Sequence, residues 1–262
     1  MSNHRTTPIR LQRAFAATTA TAALCASALM ACTSSSSLPC SKLRPGQAQR
    51  AVMLLSDGRS PALDSAVDAF ANDPSAAFSA ASLGFQATAG KDVAGTVVLA
   101  TYDDSGTIKP HGTFNLEGVG SNAKRRTANA QRQAQCLKHA AAVLPKAGGG
   151  DLLRALAAAT QSIQASSGGD AAVVAIGLGR STIEGKAVAK VDLSAAGQAK
   201  VFQALAGVSL IPHLSDGGAA LRFLAPSEDV ASAISAAGVA SFADSLCARM
   251  GAEVCTSGTT LS

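Results

Sequence analysis

The chain has 262 residues with 22 basic and 17 acidic side chains, and it is 47% hydrophobic but only 3% aromatic. With no Trp and a single Tyr it lacks the aromatic platform on which nucleic-acid strands or sugars stack. Arg5, Arg10 and Arg13 lie in an acid-free start, so the rest of the chain holds 19 basic against 17 acidic residues, and the basic pI gives no case for nucleic acid.

The first element is a leader. Residues 1–13 are basic, and Ala14 to Ala31 carries no charge and is largely alanine with Phe15, Leu24, Leu29 and Met30. That is the layout of a secretory signal, predicted over 1–31. The run is about long enough to span a bilayer, but its threonines and small-residue ending argue against a permanent span. Leu29-Met30-Ala31-Cys32 resembles the lipobox of bacterial lipoproteins, with Met30 an apolar departure at the second position. The resemblance implies cleavage before Cys32 and acylation of that cysteine. It also implies a domain anchored to the cell membrane on its extracytoplasmic side. Residues 32–46 then read as a flexible tether led by Thr33-Ser34-Ser35-Ser36-Ser37.

Ala51 to Leu55 is a continuous apolar run and predicts a buried strand ending in a Ser56-Asp57-Gly58 turn. Pro61 fits the first turn of a helix with Leu63, Val67 and Phe70 on one face, and Asn72-Asp73-Pro74 stops it. Ser75 to Leu83 predicts a further short helix. Gly95 to Tyr102 is a strand, Asp103 to Gly106 a turn, and Thr107 to Leu116 an antiparallel return that Pro110 confines to an edge. Asn122 to Leu144 predicts a long helix. Lys124-Arg125-Arg126 at its start is the one dense basic run, and such runs are usually solvated helix ends.

Gly148-Gly149-Gly150-Asp151 is a loop opening a helix that carries Leu152, Leu153, Leu156 and Ile163 at helical spacing. Ala171 to Ile176 is a second continuous apolar strand, followed by Gly177-Leu178-Gly179. Asp192 or Ser194 caps a helix through Ala206, Ala219 to Leu224 is a strand, and Ser227 opens a last helix with Val230, Ile234, Phe242, Leu246 and Met250 mostly on one stripe. Residues 257–262 are expected to be a disordered tail. Strands alternating with helices predict an α/β domain over 47–256: three-layer and doubly wound, with a mostly parallel sheet and one antiparallel edge strand.

The order of these elements is similar to that of the von Willebrand factor type A domain. The residues that carry the resemblance are AVMLLSDGRS (51–60), GGGDLLRAL (148–156) and AVVAIGLG (172–179). In that family an Asp-x-Ser-x-Ser motif, a Thr and an Asp on three loops hold a hard divalent cation. Here the first motif falls on Ser56, Gly58 and Ser60, the Thr position on Gly150, and the later Asp position on Leu178. Gly58, Gly150 and Leu178 supply no side-chain oxygen, and Asp57 stands one residue out of register. The resemblance therefore implies a degenerate site with no metal and no cofactor.

Six cysteines divide by position: Cys25 leaves with the leader and Cys32 takes lipid. Cys40, Cys136, Cys247 and Cys255 remain, an even number that in an exported chain suggests two disulfides. In a fold of this type the last helix ends near the start of the first strand. That places Cys40 beside Cys247 or Cys255, with Cys136 taking the other. The alternative is a local Cys247–Cys255 loop with Cys40–Cys136.

Two sharper chemistries are weaker. Gly177-x-Gly179 lacks the third glycine of a dinucleotide loop and a correctly spaced acid, so it reads as a tight turn. Ser56, Ser60, Asp57 and His111 or His213 are the residue types of a hydrolase triad, but no Gly-x-Ser-x-Gly elbow accompanies them. The resemblance to the type A domain implies a non-enzymatic function: a membrane-anchored interaction module binding another envelope protein, and no nucleic acid, through loops that carry Asp57, Arg59, Asp151 and Arg180. A solute-binding lipoprotein and an envelope hydrolase are the alternatives.

Overall fold

The computed structural model describes residues 40, 50–81, 95–117, 121–147, 150–167, 169–177, 182–183, 186–187, 195–207, 219–224, 236–250, 254–258 and 260–261. The leader, Cys32 and the serine tether lie outside the described residues. The chain divides into two compact units, residues 1–42 and 43–262. Of the first only Cys40 is described, and it is exposed. Among the described residues no helix is long and apolar enough to cross a membrane.

Strand β1 (Arg50–Ser56) is buried at every position after Arg50. It lies between β2 (Thr96–Tyr102) and β4 (Asp170–Ile176), parallel to both. Strand β3 (Ile108–Asn115) returns antiparallel against β2 and is mostly solvent-facing, as expected of an edge. Its register shifts opposite Leu99 and Ala100, which face Gly112 and Pro110 and leave His111 as the extra residue of a bulge. On the other side, β7 (Ala220–Leu224) pairs parallel with β4, and β8 (Cys255–Gly258) parallel with β7. The sheet order is β3-β2-β1-β4-β7-β8, and β5 (Thr182–Ile183) and β6 (Lys186–Ala187) form a separate two-stranded hairpin.

Alternation along β1 feeds two cores. Ala51, Met53 and Leu55 pack with Leu152, Leu156 and Ile163 of α4 (Leu152–Ser166), Phe202 of α5 (Ala195–Gly207), and Phe242 and Leu246 of α6 (Ala236–Met250). Val52 and Leu54 pack with Leu63 and Phe70 of α1 (Pro61–Asn72), Phe78 of α2 (Pro74–Ala81), and Leu137 of α3 (Ala123–Ala142). Each face of the sheet is thus covered by helices, giving the α/β class that the apolar strand runs imply. Asn122 caps α3 by accepting from the Arg125 N–H at 2.9 Å. The salt bridge from Arg50 Nε to Asp170 at 3.1 Å joins the starts of β1 and β4.

The structure departs from the sequence expectation in three places. The hairpin β5–β6 was not foreseen. Residues 257 and 258, expected in a disordered tail, complete β8, and Leu261 is buried. Arg222 holds this end by donating from Nη2 to the Thr260 carbonyl at 2.8 Å and from Nη1 to the Ala80 carbonyl at 3.1 Å. The third departure is the disulfide pattern. All four remaining cysteines are disulfide-bonded, and Cys247 bridges Cys255 with Cα atoms 5.8 Å apart. This is the local alternative, not the expected neighbourhood of Cys40 with either residue. The last helix ends beside the outer strand β8, which stands three strand spacings, about 14 Å, from β1.

Replacing both partners (Cys247→Ser with Cys255→Ser) is expected to lower stability by about 2–3 kcal/mol, because a short loop in the unfolded chain is released. Guanidinium unfolding measures it, and an unchanged midpoint would mean the bridge adds nothing to the packing of α6 on β8.

Candidate functional site

The strand order reverses between β1 and β4: the chain builds outward from β1 to β3, then resumes on β1's other side. In open α/β sheets the crevice beyond the C-terminal ends of the strands at such a point is where ligands bind. Two described segments border it here, the loop after β1 and the loop joining α3 to α4; after β4 the described residues end at Gly177.

The loop after β1 is closed on itself. Ser56 is fully buried, and its hydroxyl donates to the Gly58 carbonyl at 2.6 Å. Gly58 has φ +151°, and a Cβ there would lie 2.8 Å from the backbone of Pro145 and Ala147. That close approach lets two backbone bonds form. The Arg59 N–H donates to the Pro145 carbonyl at 2.7 Å, and the Ala147 N–H donates to the Arg59 carbonyl at 3.1 Å. The Ser60 hydroxyl accepts from the Leu63 N–H at 3.2 Å and caps α1. Arg59 spans Asp64, at 3.2 Å from Nε, and the Ala142 carbonyl, at 3.1 Å from Nη1.

The α3–α4 loop sits over the end of β2. A Cβ on Gly150 would lie 2.6 Å from the Tyr102 ring, so position 150 has no room for a side chain. Asp151 is buried and caps α4: Oδ1 accepts from the Arg154 N–H at 3.2 Å, and Oδ2 pairs with Arg154 Nε at 3.1 Å. Its own N–H donates to the Asp103 carbonyl at 3.0 Å. Asp103 organises the hairpin turn. Donation by the Ser105 hydroxyl, then by Lys109, then by the Thr107 N–H holds its carboxyl well below the usual range. The Tyr102 hydroxyl is buried without a hydrogen-bond partner. Burial first, then the negative charges of Asp57 and Asp151, holds its pKa well above the usual phenol value.

The structure therefore brings Ser56, Asp57, Gly58, Arg59, Ser60, Gly150 and Asp151 to one end of the sheet. Leu178 and Arg180 lie outside the described residues. The hydroxyls of Ser56 and Ser60 are committed to backbone groups. Among the described residues no group of three or more His, Cys, Asp or Glu is placed to hold a metal ion. His111 Nε2 lies 2.7 Å from Thr101 Oγ1. Thr101 is the register partner of Ser56 on the adjacent strand, and the Ser56 hydroxyl is engaged with the Gly58 carbonyl; His213 lies outside the described residues. Sequence reasoning missed Tyr102 and the part played by Pro145. An aromatic ending a strand just before an Asp-Asp-Ser-Gly turn was the available signal for the first, and nothing local marked the second. Comparison of the chain with protein-family models, with curated proteins and with solved structures found no match.

Removing the orphaned hydroxyl by Tyr102→Phe is expected to keep the fold and raise stability by about 1 kcal/mol. The phenol's folded pKa is raised, so its contribution is intact below about pH 10 and is lost as the unfolded chain ionises above that. The Phe variant should accordingly hold its melting temperature further into alkali. Parallel alkaline melts for variant and parent would contradict the buried placement.

Proposed function

We propose that the chain is an exported bacterial lipoprotein, held at the membrane through acylated Cys32, whose domain is a non-enzymatic interaction module of the cell envelope. The domain reads as similar to the von Willebrand factor type A domain with a degenerate cation site. The observation that carries this reading is the closed loop at the switch point. The sheet order, with its single antiparallel edge strand, supports the resemblance. At the four positions where the family places ligands and the geometry is described, the side chains do other work or have no space, Gly58 among them because it lies against the backbone of Pro145 and Ala147. Ser56 and Ser60 bond to backbone, and Gly150 lies against Tyr102. The surface left for a partner is shape, loop backbone and partly exposed charge, with Asp57 and Arg59 at its rim and Asp151 beneath; Arg180, the remaining charge proposed for this role, lies outside the described residues.

A partner bound through this end needs no bridging cation, so its capture by cross-linking in intact envelopes should be unchanged by a chelator. Charge reversal at Arg59 (Arg59→Glu) should reduce it severalfold, since the new carboxylate faces Asp64 and repels any acid that Arg59 would meet. Capture abolished by chelation and restored by Mg²⁺ or Ca²⁺ would contradict the proposal. The anchor has its own test. Cys32→Ser should abolish fatty-acid labelling and release the protein from the detergent phase, and a variant that stays there would overturn the assignment of Cys32.

A further inference from the structure

Helix α3 is longer than the layer it packs in. Its C-terminal half is held: Gln133, Ala134, Cys136, Leu137 and Ala141 are buried, and Lys138 pairs with Asp68 of α1 at 2.7 Å. Helix α1 ends at Asn72, whose side chain lies 3.4 Å from the same Lys138 amine. Toward its start α3 runs on past that point, and every residue from Ser121 to Ala128 is exposed. This arm has no buried face, so it gains nothing from the packing that stabilises most protein helices.

Its sequence also opposes the local field. Lys124, Arg125 and Arg126 fill the first turn, directly after the cap Asn122, where the positive end of the helix dipole disfavours cations. Arg132 lies seven residues beyond Arg125 and so on the same face, and α3 contains no acid at all. A solvated helix end needs no such concentration of like charge.

The arm's place in the fold indicates what it meets. The far end of α3 leads into Pro145 and Ala147, which clamp Arg59 beyond the C-terminal end of β1. The arm is therefore at the opposite end of the domain, about 30 Å away along a 20-residue helix. The described part of the domain begins at that same lower end, with Arg50 at the start of β1, and the 49 residues before it include Cys32.

We propose that the α3 arm, led by Lys124, Arg125 and Arg126, rests on the anionic phospholipid headgroups of the membrane that tethers the chain. The loops beyond the C-terminal ends of the strands are thereby turned away from the bilayer, toward envelope partners. The inference rests on the lipoprotein reading above. Acylation supplies the hold and the arm supplies the orientation. Each cation near an anionic surface contributes roughly fivefold in affinity, and a tether makes even a weak contact effective by raising its local concentration.

The test uses the chain from residue 32 onward with Cys32→Ser, so that neither acyl chains nor the basic, apolar leader plays a part and failure of the anchor assignment does not affect the result. Its sedimentation with phosphatidylcholine vesicles is compared with that on vesicles of phosphatidylcholine and phosphatidylglycerol, about seven to three, at low and physiological salt. The expected result is a preference for the anionic vesicles that weakens with salt. It should fall roughly a hundredfold on adding Lys124→Gln, Arg125→Gln and Arg126→Gln together, and survive Arg125→Lys with Arg126→Lys. The glutamine variant should melt at or slightly above its parent, because cations have left the wrong end of a helix dipole. Equal binding by the glutamine variant would overturn the proposal, as would a marked fall in its melting temperature. Preferential binding to a short nucleic acid or to polyglutamate instead of vesicles would also overturn it, in favour of another anionic partner.

Discussion

After Arg50, strand β1 has nowhere to expose a side chain. Ala51 to Ser56 are buried on both faces, and the strand is flanked on both edges by parallel neighbours. A strand in that position requires a helical layer on each side, and the alternation of Ala51, Met53 and Leu55 against Val52 and Leu54 divides the apolar side chains into two cores. Parallel pairing in turn requires crossover connections, so the loops leaving β1, β2 and β4 gather at one end of the sheet. The chain's departure to β2 and β3, and its later return to β4 on the other side of β1, opens the crevice there. The candidate site is thus a consequence of how one strand is buried.

The chemistry of that end is set by backbone economy. Gly58 allows the β1 loop to lie against residues 145–147, and the two bonds between Arg59 and that segment satisfy backbone groups that an open loop would leave to water. The side-chain oxygens follow the same logic: Ser56 closes its own turn, Ser60 caps α1, and Asp151 caps α4. Caps of this kind are worth about 1 kcal/mol each. A loop whose polar atoms serve the fold in this way suits the proposed recognition by shape and charge. At the other end of the molecule the α3 arm shows a different balance, with a concentration of exposed cations and no buried face.

Much of this was legible in the sequence, for physical reasons that differ by element. Continuous apolar runs marked β1 and β4 because burial on both faces removes alternation. Pro110 marked β3 as an edge because it has no N–H for an inner ladder. Asn122 and Asp151 marked helix starts through their capping chemistry. Strand β8 was not legible: Cys255-Thr256-Ser257-Gly258 has no apolar pattern and is recruited by β7 and by the bridge to Cys247. That missing strand is also why the expected neighbourhood of Cys40 with Cys247 or Cys255 failed. At the site, the residue identities were visible but their roles were not. Gly150 looks like a flexible loop residue, yet it is constrained by the Tyr102 ring from a strand about fifty positions earlier. Contacts of that range leave no trace in local spacing.

The central claim is that the loop beyond β1 is closed by backbone bonds and needs no cation to order it. Amide hydrogen exchange at Arg59 and Ala147 tests it most directly, because their N–H groups make the two clamping bonds. Both amides should be protected well beyond open-loop rates, and equally so in chelator and in excess Mg²⁺ or Ca²⁺. Exchange at open-loop rates in chelator, with protection appearing only when the cation is added, would contradict the account.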